Sequence, residues 1–181
     1  MVNLANTLTG IRLFGAPVLV YFYLQHDYQI AFWLMLFLGI TDWFDGFFAR
    51  RLNQESTFGK IFDPIADKVL MITMFVTLGY LHAMPIEFIT LCLARDILII
   101  LGGFSMVGAN NFNNMSPTKV SKINTFLQIV CILFTTYRLH KGNVNVALQQ
   151  IEMATMWATS LFTITSGMQY AKTFWIFLKS R

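Results

Sequence analysis

Long apolar stretches separated by short polar turns are the dominant pattern of the chain. Six of them approach the roughly 20 residues that a helix needs to cross a bilayer. They lie at 7–25, 28–49, 61–81, 86–108, 120–138 and 147–177. Turn-forming residues such as His26-Asp27 and the 82–85 segment separate them. The pattern therefore predicts an all-α integral membrane protein with six transmembrane helices.

Composition supports a membrane protein. The chain is 56% hydrophobic, 15% aromatic and 12% charged, whereas a soluble domain is roughly 25% charged. A disordered chain, a fibrous protein and an ordinary cytosolic enzyme are excluded. The length fits a single domain, residues 1–181. Cys92 and Cys131 lie inside apolar stretches without metal or redox spacing, so we expect buried structural thiols.

The basic residues predict an orientation. Most of them fall on one side of a six-crossing topology: Arg50, Arg51, Lys60, Lys119, Lys122, Lys172, Lys179 and Arg181. The positive-inside rule then places both termini and the 50–60 loop in the cytoplasm. The net charge of +4 is interpreted as topology and lipid headgroup contact, not nucleic-acid binding. A short chain without a transit or signal peptide predicts a bacterial inner membrane, with the active site facing the cytoplasm.

Four aspartates are concentrated within 26 residues. Asp42 and Asp45 are three residues apart near the end of the second stretch, and Asp63 and Asp67 are four apart near the start of the third. Each pair shares one helical face, and a short turn makes the two helices antiparallel neighbours. We therefore expect a four-carboxylate cluster. Helix-end residues facing water are the alternative, in which Asp63 would cap a helix that begins at Pro64.

The cluster favours bound metal over simple hydration. An ionised Asp at membrane depth costs about 2.5–3.5 kcal/mol, and four converging like charges repel each other. All-oxygen ligands suit Mg²⁺ or Mn²⁺, and two such ions about 3.5–4 Å apart serve phosphoryl transfer. Gly46 and Ala49 add a strip of small residues beside the carboxylates, which equally fits close helix packing. Gly59 is a second position without a side chain, and Arg50 can reach a phosphate.

These residues together resemble the signature of the CDP-alcohol phosphatidyltransferases. The matching pattern is Asp42-x2-Asp45-Gly46-x2-Ala49-Arg50-x8-Gly59-x3-Asp63-x3-Asp67. The resemblance covers essentially the whole chain and implies that family's six-helix fold. Asn6-x2-Thr9-x2-Arg12 is also similar to the family's N-terminal element, although Ala5 stands where many members have proline.

The resemblance implies a chemistry and its residues. The donor would be a CDP-lipid, usually CDP-diacylglycerol, and CMP would leave. Asp42, Asp45 and Asp63 would bind two divalent cations, Mg²⁺ or Mn²⁺, while Asp67 would bind metal and act as the base. The remaining motif residues would hold the CDP-lipid: Asn6, Thr9, Gly46, Ala49, Arg50 and Gly59. Members are often homodimers, so a homodimer is a further expectation.

The acceptor alcohol is a separate question. Candidate residues lie on the fourth and fifth stretches: Arg95, Asp96, Lys119, Lys122, Asn124, Thr125 and Gln128. Ionisable residues at membrane depth, such as Arg95, are functional by default, although a structural Arg95–Asp96 ion pair is the alternative. Segments 94–96 and 116–128 are similar to those of the CMP-forming cardiolipin synthases, a branch that uses phosphatidylglycerol. The runner-up is a phosphatidylglycerophosphate synthase using glycerol 3-phosphate, but its usual second arginine is absent.

Two other classes of protein are alternatives to this interpretation. Intramembrane prenyltransferases also set Asp-x-x-Asp motifs against a pyrophosphate, but they are longer and leave Gly46, Ala49-Arg50 and Gly59 together unexplained. A divalent-cation channel would need carboxylates along a continuous path, whereas here they crowd one membrane face. Release of CMP from CDP-diacylglycerol would distinguish the transferase from both.

Overall fold

The computed structural model describes residues 4–52, 57–107, 118–142 and 145–179. Within these ranges, only the backbone is described at 4–9, 11–12, 42–52, 57–67, 102–107 and 177–178. Every regular element in the described part of the chain is an α-helix. The helices are α1 (Leu4–Leu24), α2 (Tyr28–Leu52), α3 (Thr57–Tyr80), α4 (Ile86–Val107), α5 (Lys119–Lys141) and α6 (Val146–Lys179).

The six predicted helices are confirmed as helices, but several of their ends differ from the prediction, among them the end of α2 and the start of α3. Helix α2 extends to Leu52 and α3 begins at Thr57, so both continue past the apolar stretches that predicted them. The length of an apolar stretch indicates how much of a helix could lie within a bilayer. The helix itself ends where its backbone hydrogen bonds end, which can be outside that stretch. Pro64 consequently lies inside α3, and the alternative in which Asp63 caps that helix is wrong.

Local signals explain several helix ends. His26 and His82 adopt left-handed φ angles of 58° and 51° after α1 and α3. At His26 the chain forms a Schellman-type end, because the Asp27 N–H donates to the Phe22 carbonyl over 2.9 Å and the His26 N–H to the Tyr23 carbonyl. Helix α5 is capped by Thr118, whose Oγ1 accepts from the Ser121 N–H.

The described residues divide into two compact units. The first contains α1, α2, α3 and the end of α5 from Thr136. In it, α1 packs against both α2 and α3. Its core is largely apolar and follows helical spacing, with Ala16, Leu19, Tyr23, Ala31, Met35, Leu38, Met71, Met74, Phe75 and Leu78. Helices α1 and α2 approach closely at Gly15, where a Cβ would lie 2.8 Å from Leu38.

The second unit contains α4, α5 as far as Thr135, and α6. Its interior is largely polar. The α6 helix has an inverted distribution of side chains, with polar residues buried and large apolar residues exposed, the reverse of a helix in a soluble protein. Buried positions of α6 carry Glu152, Thr159, Thr163 and Ser166. Its exposed positions carry large apolar side chains, namely Ile151, Met153, Trp157, Leu161, Ile164, Met168, Trp175 and Ile176.

On length and composition, one helix among the described residues could cross a bilayer, α5 at Lys119–Lys141. Shorter apolar helical stretches lie at Leu13–Leu24, Tyr28–Thr41 and Lys68–Tyr80. The number of crossings and the positions of the termini therefore stay predictions.

Candidate functional site

The aspartate motif lies on two helices of the first unit. Asp42 and Asp45 belong to the C-terminal part of α2, and Asp63 and Asp67 to the N-terminal half of α3. The backbone thus gives each pair the helical spacing that the sequence predicted. The side chains of these four residues, and those of Asn6, Thr9, Ala49 and Arg50, lie outside the described part of the structure. Gly46 and Gly59 are helical, but their surroundings also lie outside it.

Among the described residues, no group of three or more His, Cys, Asp or Glu side chains could hold a metal ion. The predicted donor set on α2 and α3 was not among them, because its side chains lie outside the described part of the structure. Four carboxylates are the ligands that hard divalent cations prefer, so this set has suitable chemistry for Mg²⁺ or Mn²⁺.

Arg95 is the centre of a buried polar cluster in the second unit. Its Nη1 donates to Asp96 Oδ1 over 2.6 Å, and the side chains of this ion pair are 2% and 0% exposed. Its Nε and Nη2 donate to Ser166 Oγ over 3.2 and 3.0 Å. Nη2 also donates to Ser121 Oγ. One guanidinium thus connects α4, α5 and α6.

Asp96 compensates the positive charge that Arg95 brings to the candidate acceptor region. Residues adjacent in a helix rarely face each other, yet the long Arg95 side chain folds back onto Asp96. Their charges compensate, which the burial requires because an uncompensated buried charge is strongly unfavourable. The Tyr170 ring, 6.0 Å from the guanidinium carbon, completes the surroundings. The pair is locally neutral.

One helical turn of α5 carries two buried amides. Asn124 and Gln128 are both 0% exposed. Asn124 Oδ1 accepts from Thr163 Oγ1 over 2.8 Å. Among the described residues, Asn124 Nδ2 and both polar atoms of Gln128 have no hydrogen-bond partner of ordinary geometry. Leaving such a group unsatisfied costs about 1–3 kcal/mol.

The two lysines predicted for the acceptor site do not join this cluster. Lys119 and Lys122 lie in the first turn of α5 with exposed side chains. A cation at a helix N-terminus opposes the helix dipole. Helix stability therefore does not explain their position.

The cysteine prediction is confirmed for burial. Cys92 and Cys131 are free thiols and both are 0% exposed. Cys131 Sγ lies 3.2 Å from Thr159 Oγ1, and Cys92 Sγ lies 4.0 Å from Thr163 Oγ1. Both thiols therefore belong to the polar interior of the second unit.

The buried polar residues of α6 were not identified from the sequence. Thr159, Thr163 and Ser166 recur at spacings of four and three residues and are all buried. Together with Glu152, this recurrence on one face of α6 was the available signal.

The family model described as CDP-alcohol phosphatidyltransferase matches residues 2–165. The CMP-forming cardiolipin synthase of Rattus norvegicus is 32% identical over 146 residues, covering 72% of this chain and 48% of its own length. A CDP-diacylglycerol–glycerol-3-phosphate 3-phosphatidyltransferase of Rickettsia typhi is 33% identical over 177 residues, covering 95% and 97%. One of that name from Aquifex aeolicus is 43% identical over 110 residues, covering 58% and 60%. The chain thus spans about half the length of the rat cardiolipin synthase.

Proposed function

Because the chain belongs to the CDP-alcohol phosphatidyltransferase family, we propose that it transfers the phosphatidyl group of CDP-diacylglycerol to phosphatidylglycerol, yielding cardiolipin and CMP. The family model includes helices of both compact units, which supports one catalytic domain over residues 1–181. A homodimer is part of the same proposal, by analogy with the family.

The donor is assigned to the motif on α2 and α3. Asp42, Asp45, Asp63 and Asp67 would hold two divalent cations, which when bound would neutralise charge on the pyrophosphate. Asn6 and Thr9 on α1 would contact the CDP-lipid. The small residues Gly46, Ala49 and Gly59 would leave room for the cytidine group, and Arg50 would bind phosphate.

Asp67 is proposed as the proton acceptor. It takes the proton of the acceptor hydroxyl, and that oxygen bonds to the phosphorus that carries diacylglycerol. The bond from this phosphorus to the CMP oxygen breaks, and CMP leaves with the electron pair. Asp67 lies one helical turn from Asp63, so both carboxylates belong to one face of α3.

The observation that carries the acceptor choice is the Arg95–Asp96 pair. Arg95, Asp96 and Asn124 are proposed to form the buried part of the acceptor site, with Lys119 and Lys122 binding lipid phosphate at its rim. Among the described buried side chains of this unit, Arg95 is the one cation, and Asp96 neutralises it. A neutral site suits the glycerol end of phosphatidylglycerol better than a phosphate dianion, which would need excess positive charge.

Glycerol 3-phosphate is the second candidate acceptor. The match that covers 95% of the chain is to a protein named for that acceptor. In this alternative, the phosphate would rely on the exposed Lys119 and Lys122, since Arg95 is already paired.

We propose that the six helices span a bacterial inner membrane, with both termini and the motif on the cytoplasmic side. The inverted α6 supports a lipid environment, because it buries hydroxyls and exposes side chains such as Trp157 and Leu161, which are 71% and 65% exposed. In water this arrangement would be unfavourable. In lipid it satisfies polar groups internally and leaves the apolar ones to acyl chains.

The first test is an acceptor assay. Purified protein with Mg²⁺ or Mn²⁺ and CDP-diacylglycerol receives either phosphatidylglycerol or glycerol 3-phosphate, and lipid products are identified by mass. We expect cardiolipin from phosphatidylglycerol and little phosphatidylglycerophosphate from glycerol 3-phosphate. The reverse pattern would establish the second candidate, and no CMP release with either would overturn the transferase proposal.

Metal removal is expected to stop the reaction. Excess EDTA should reduce CMP release to background because four carboxylates without cations repel both each other and the pyrophosphate. Adding back Mg²⁺ or Mn²⁺ beyond the chelator should restore the rate. Turnover that continues at the original rate in EDTA would contradict the proposed metal site.

A further inference from the structure

The two buried amides of α5 are the starting point. Asn124 and Gln128 are one turn apart and fully buried. Among the described residues, the Asn124 Nδ2 donor, the Gln128 Nε2 donor and the Gln128 Oε1 acceptor lack an ordinary hydrogen-bond partner. The nearby Cys92 thiol is a weak partner for an amide. Buried polar atoms are satisfied in the large majority of cases, so three on one helical turn call for a ligand or an ordered water.

The surroundings define the chemistry of that ligand. Arg95 and Asp96 neutralise each other, and the α6 contribution is the hydroxyl of Thr163. An anion would meet the Gln128 carbonyl oxygen as a repulsive neighbour, and a metal cation would meet amide donors. A hydroxyl group fits both, because it accepts from an amide N–H and donates to an amide oxygen. Two adjacent hydroxyls fit two amides one turn apart.

We propose that Asn124 and Gln128 bind the vicinal diol of the acceptor's glycerol group, with Gln128 recognising the hydroxyl that does not react. This inference rests on the proposed phosphatidyltransferase function. The diol is common to the phosphatidylglycerol headgroup and to glycerol 3-phosphate, so Gln128 recognises a feature shared by both candidate acceptors. Gln128 acts as a specificity residue, separate from the motif on α2 and α3.

Acceptors that lack the second hydroxyl provide the test. Phosphatidyl-1,3-propanediol replaces phosphatidylglycerol, and 3-hydroxypropyl phosphate replaces glycerol 3-phosphate; each keeps one terminal hydroxyl. Wild-type protein is expected to use the matching analogue with kcat/KM lowered about tenfold or more, the loss of at least one net hydrogen bond. Equal kcat/KM for diol and analogue would overturn the proposal without any variant being made.

Gln128→Leu and the shape-matched Gln128→Met connect this selectivity to the residue. Each should raise the KM for the diol acceptor about tenfold, leave the KM for CDP-diacylglycerol unchanged and abolish discrimination against the analogue. The Tm of the acceptor-free protein should not fall, because the substitution removes unsatisfied buried atoms. Gln169→Leu, the same change at an exposed α6 position, is the matched control. Thr159→Val controls for removal of a buried hydroxyl that already has a partner.

The outcomes separate this inference from the function on which it rests. If wild-type protein releases no CMP with either diol acceptor, the transferase proposal fails. If wild type is active but both Gln128 variants keep its KM and its discrimination, the diol site fails alone. A lowered Tm with an unchanged acceptor KM would show that Gln128 is structural, held by an ordered water, and would also overturn it.

Discussion

Asp67→Asn is expected to lower kcat for CMP release by about 10²–10⁴-fold, the range that a positioned general base contributes. An amide cannot take the proton of the acceptor hydroxyl, although its oxygen can still bind a cation. Binding of Mn²⁺, measured by electron paramagnetic resonance, should therefore survive better in Asp67→Asn than in Asp42→Ala or Asp63→Ala. Those two variants should lose both metal binding and activity.

The matched control for this series is Asp27→Asn. Asp27 lies exposed in the turn between α1 and α2, where the same loss of charge should leave kcat unchanged. Near-normal turnover in Asp67→Asn would show that another group or solvent takes the proton. The assignment of Asp42 and Asp63 as metal ligands would then be tested separately, by Mn²⁺ binding and activity of Asp42→Ala and Asp63→Ala.

Much of the helical layout is predictable because its signals are local. The sequence predicts helix α4 at 86–108, and the helix is observed at Ile86–Val107, following a turn that contains Pro85 and a left-handed His82. The α2–α3 boundary was less predictable, because the residues between 50 and 61 are polar enough for a turn and also compatible with continued helix. Only backbone hydrogen bonding decides between them.

The candidate site was only partly predictable from the sequence. A Ser or Thr hydroxyl in an apolar helix can donate either to the backbone of its own helix or to a residue on another helix. On α6, Ser160 and Thr173 donate to backbone carbonyls four residues earlier, so they are satisfied within their own helix. Ser166 and Thr163 instead contact Arg95 and Asn124 on other helices. The residue types are the same in both sets, so sequence alone does not show which hydroxyl is used across an interface. The sequence offers the Arg95–Asp96 pairing as an alternative, but the contact of Arg95 with Ser166 follows only from the packing of α4 against α6.

The connection between Arg95 and three helices predicts a large effect on stability. Arg95→Met should destabilise the protein by about 3–5 kcal/mol, because it removes the described counter-charge of Asp96 and the hydrogen bonds to Ser121 and Ser166. A lowered Tm in detergent and a reduced folded yield would report this loss. Lys172→Met, which removes an exposed cation from α6, should change the free energy of unfolding by no more than about 0.5 kcal/mol.

The double variant Arg95→Met/Asp96→Leu separates the structural role of Arg95 from its proposed role in acceptor binding. Replacing both members of a buried ion pair with apolar groups is often neutral for stability, so the double variant should recover most of the Tm lost in Arg95→Met. If Arg95 and Asp96 bind the acceptor, the recovered protein should keep its KM for CDP-diacylglycerol and show a raised KM for phosphatidylglycerol. A double variant with both normal stability and a normal acceptor KM would show that the pair only holds α4, α5 and α6 together. Acceptor recognition would then rest on the α5 amides and the exposed lysines.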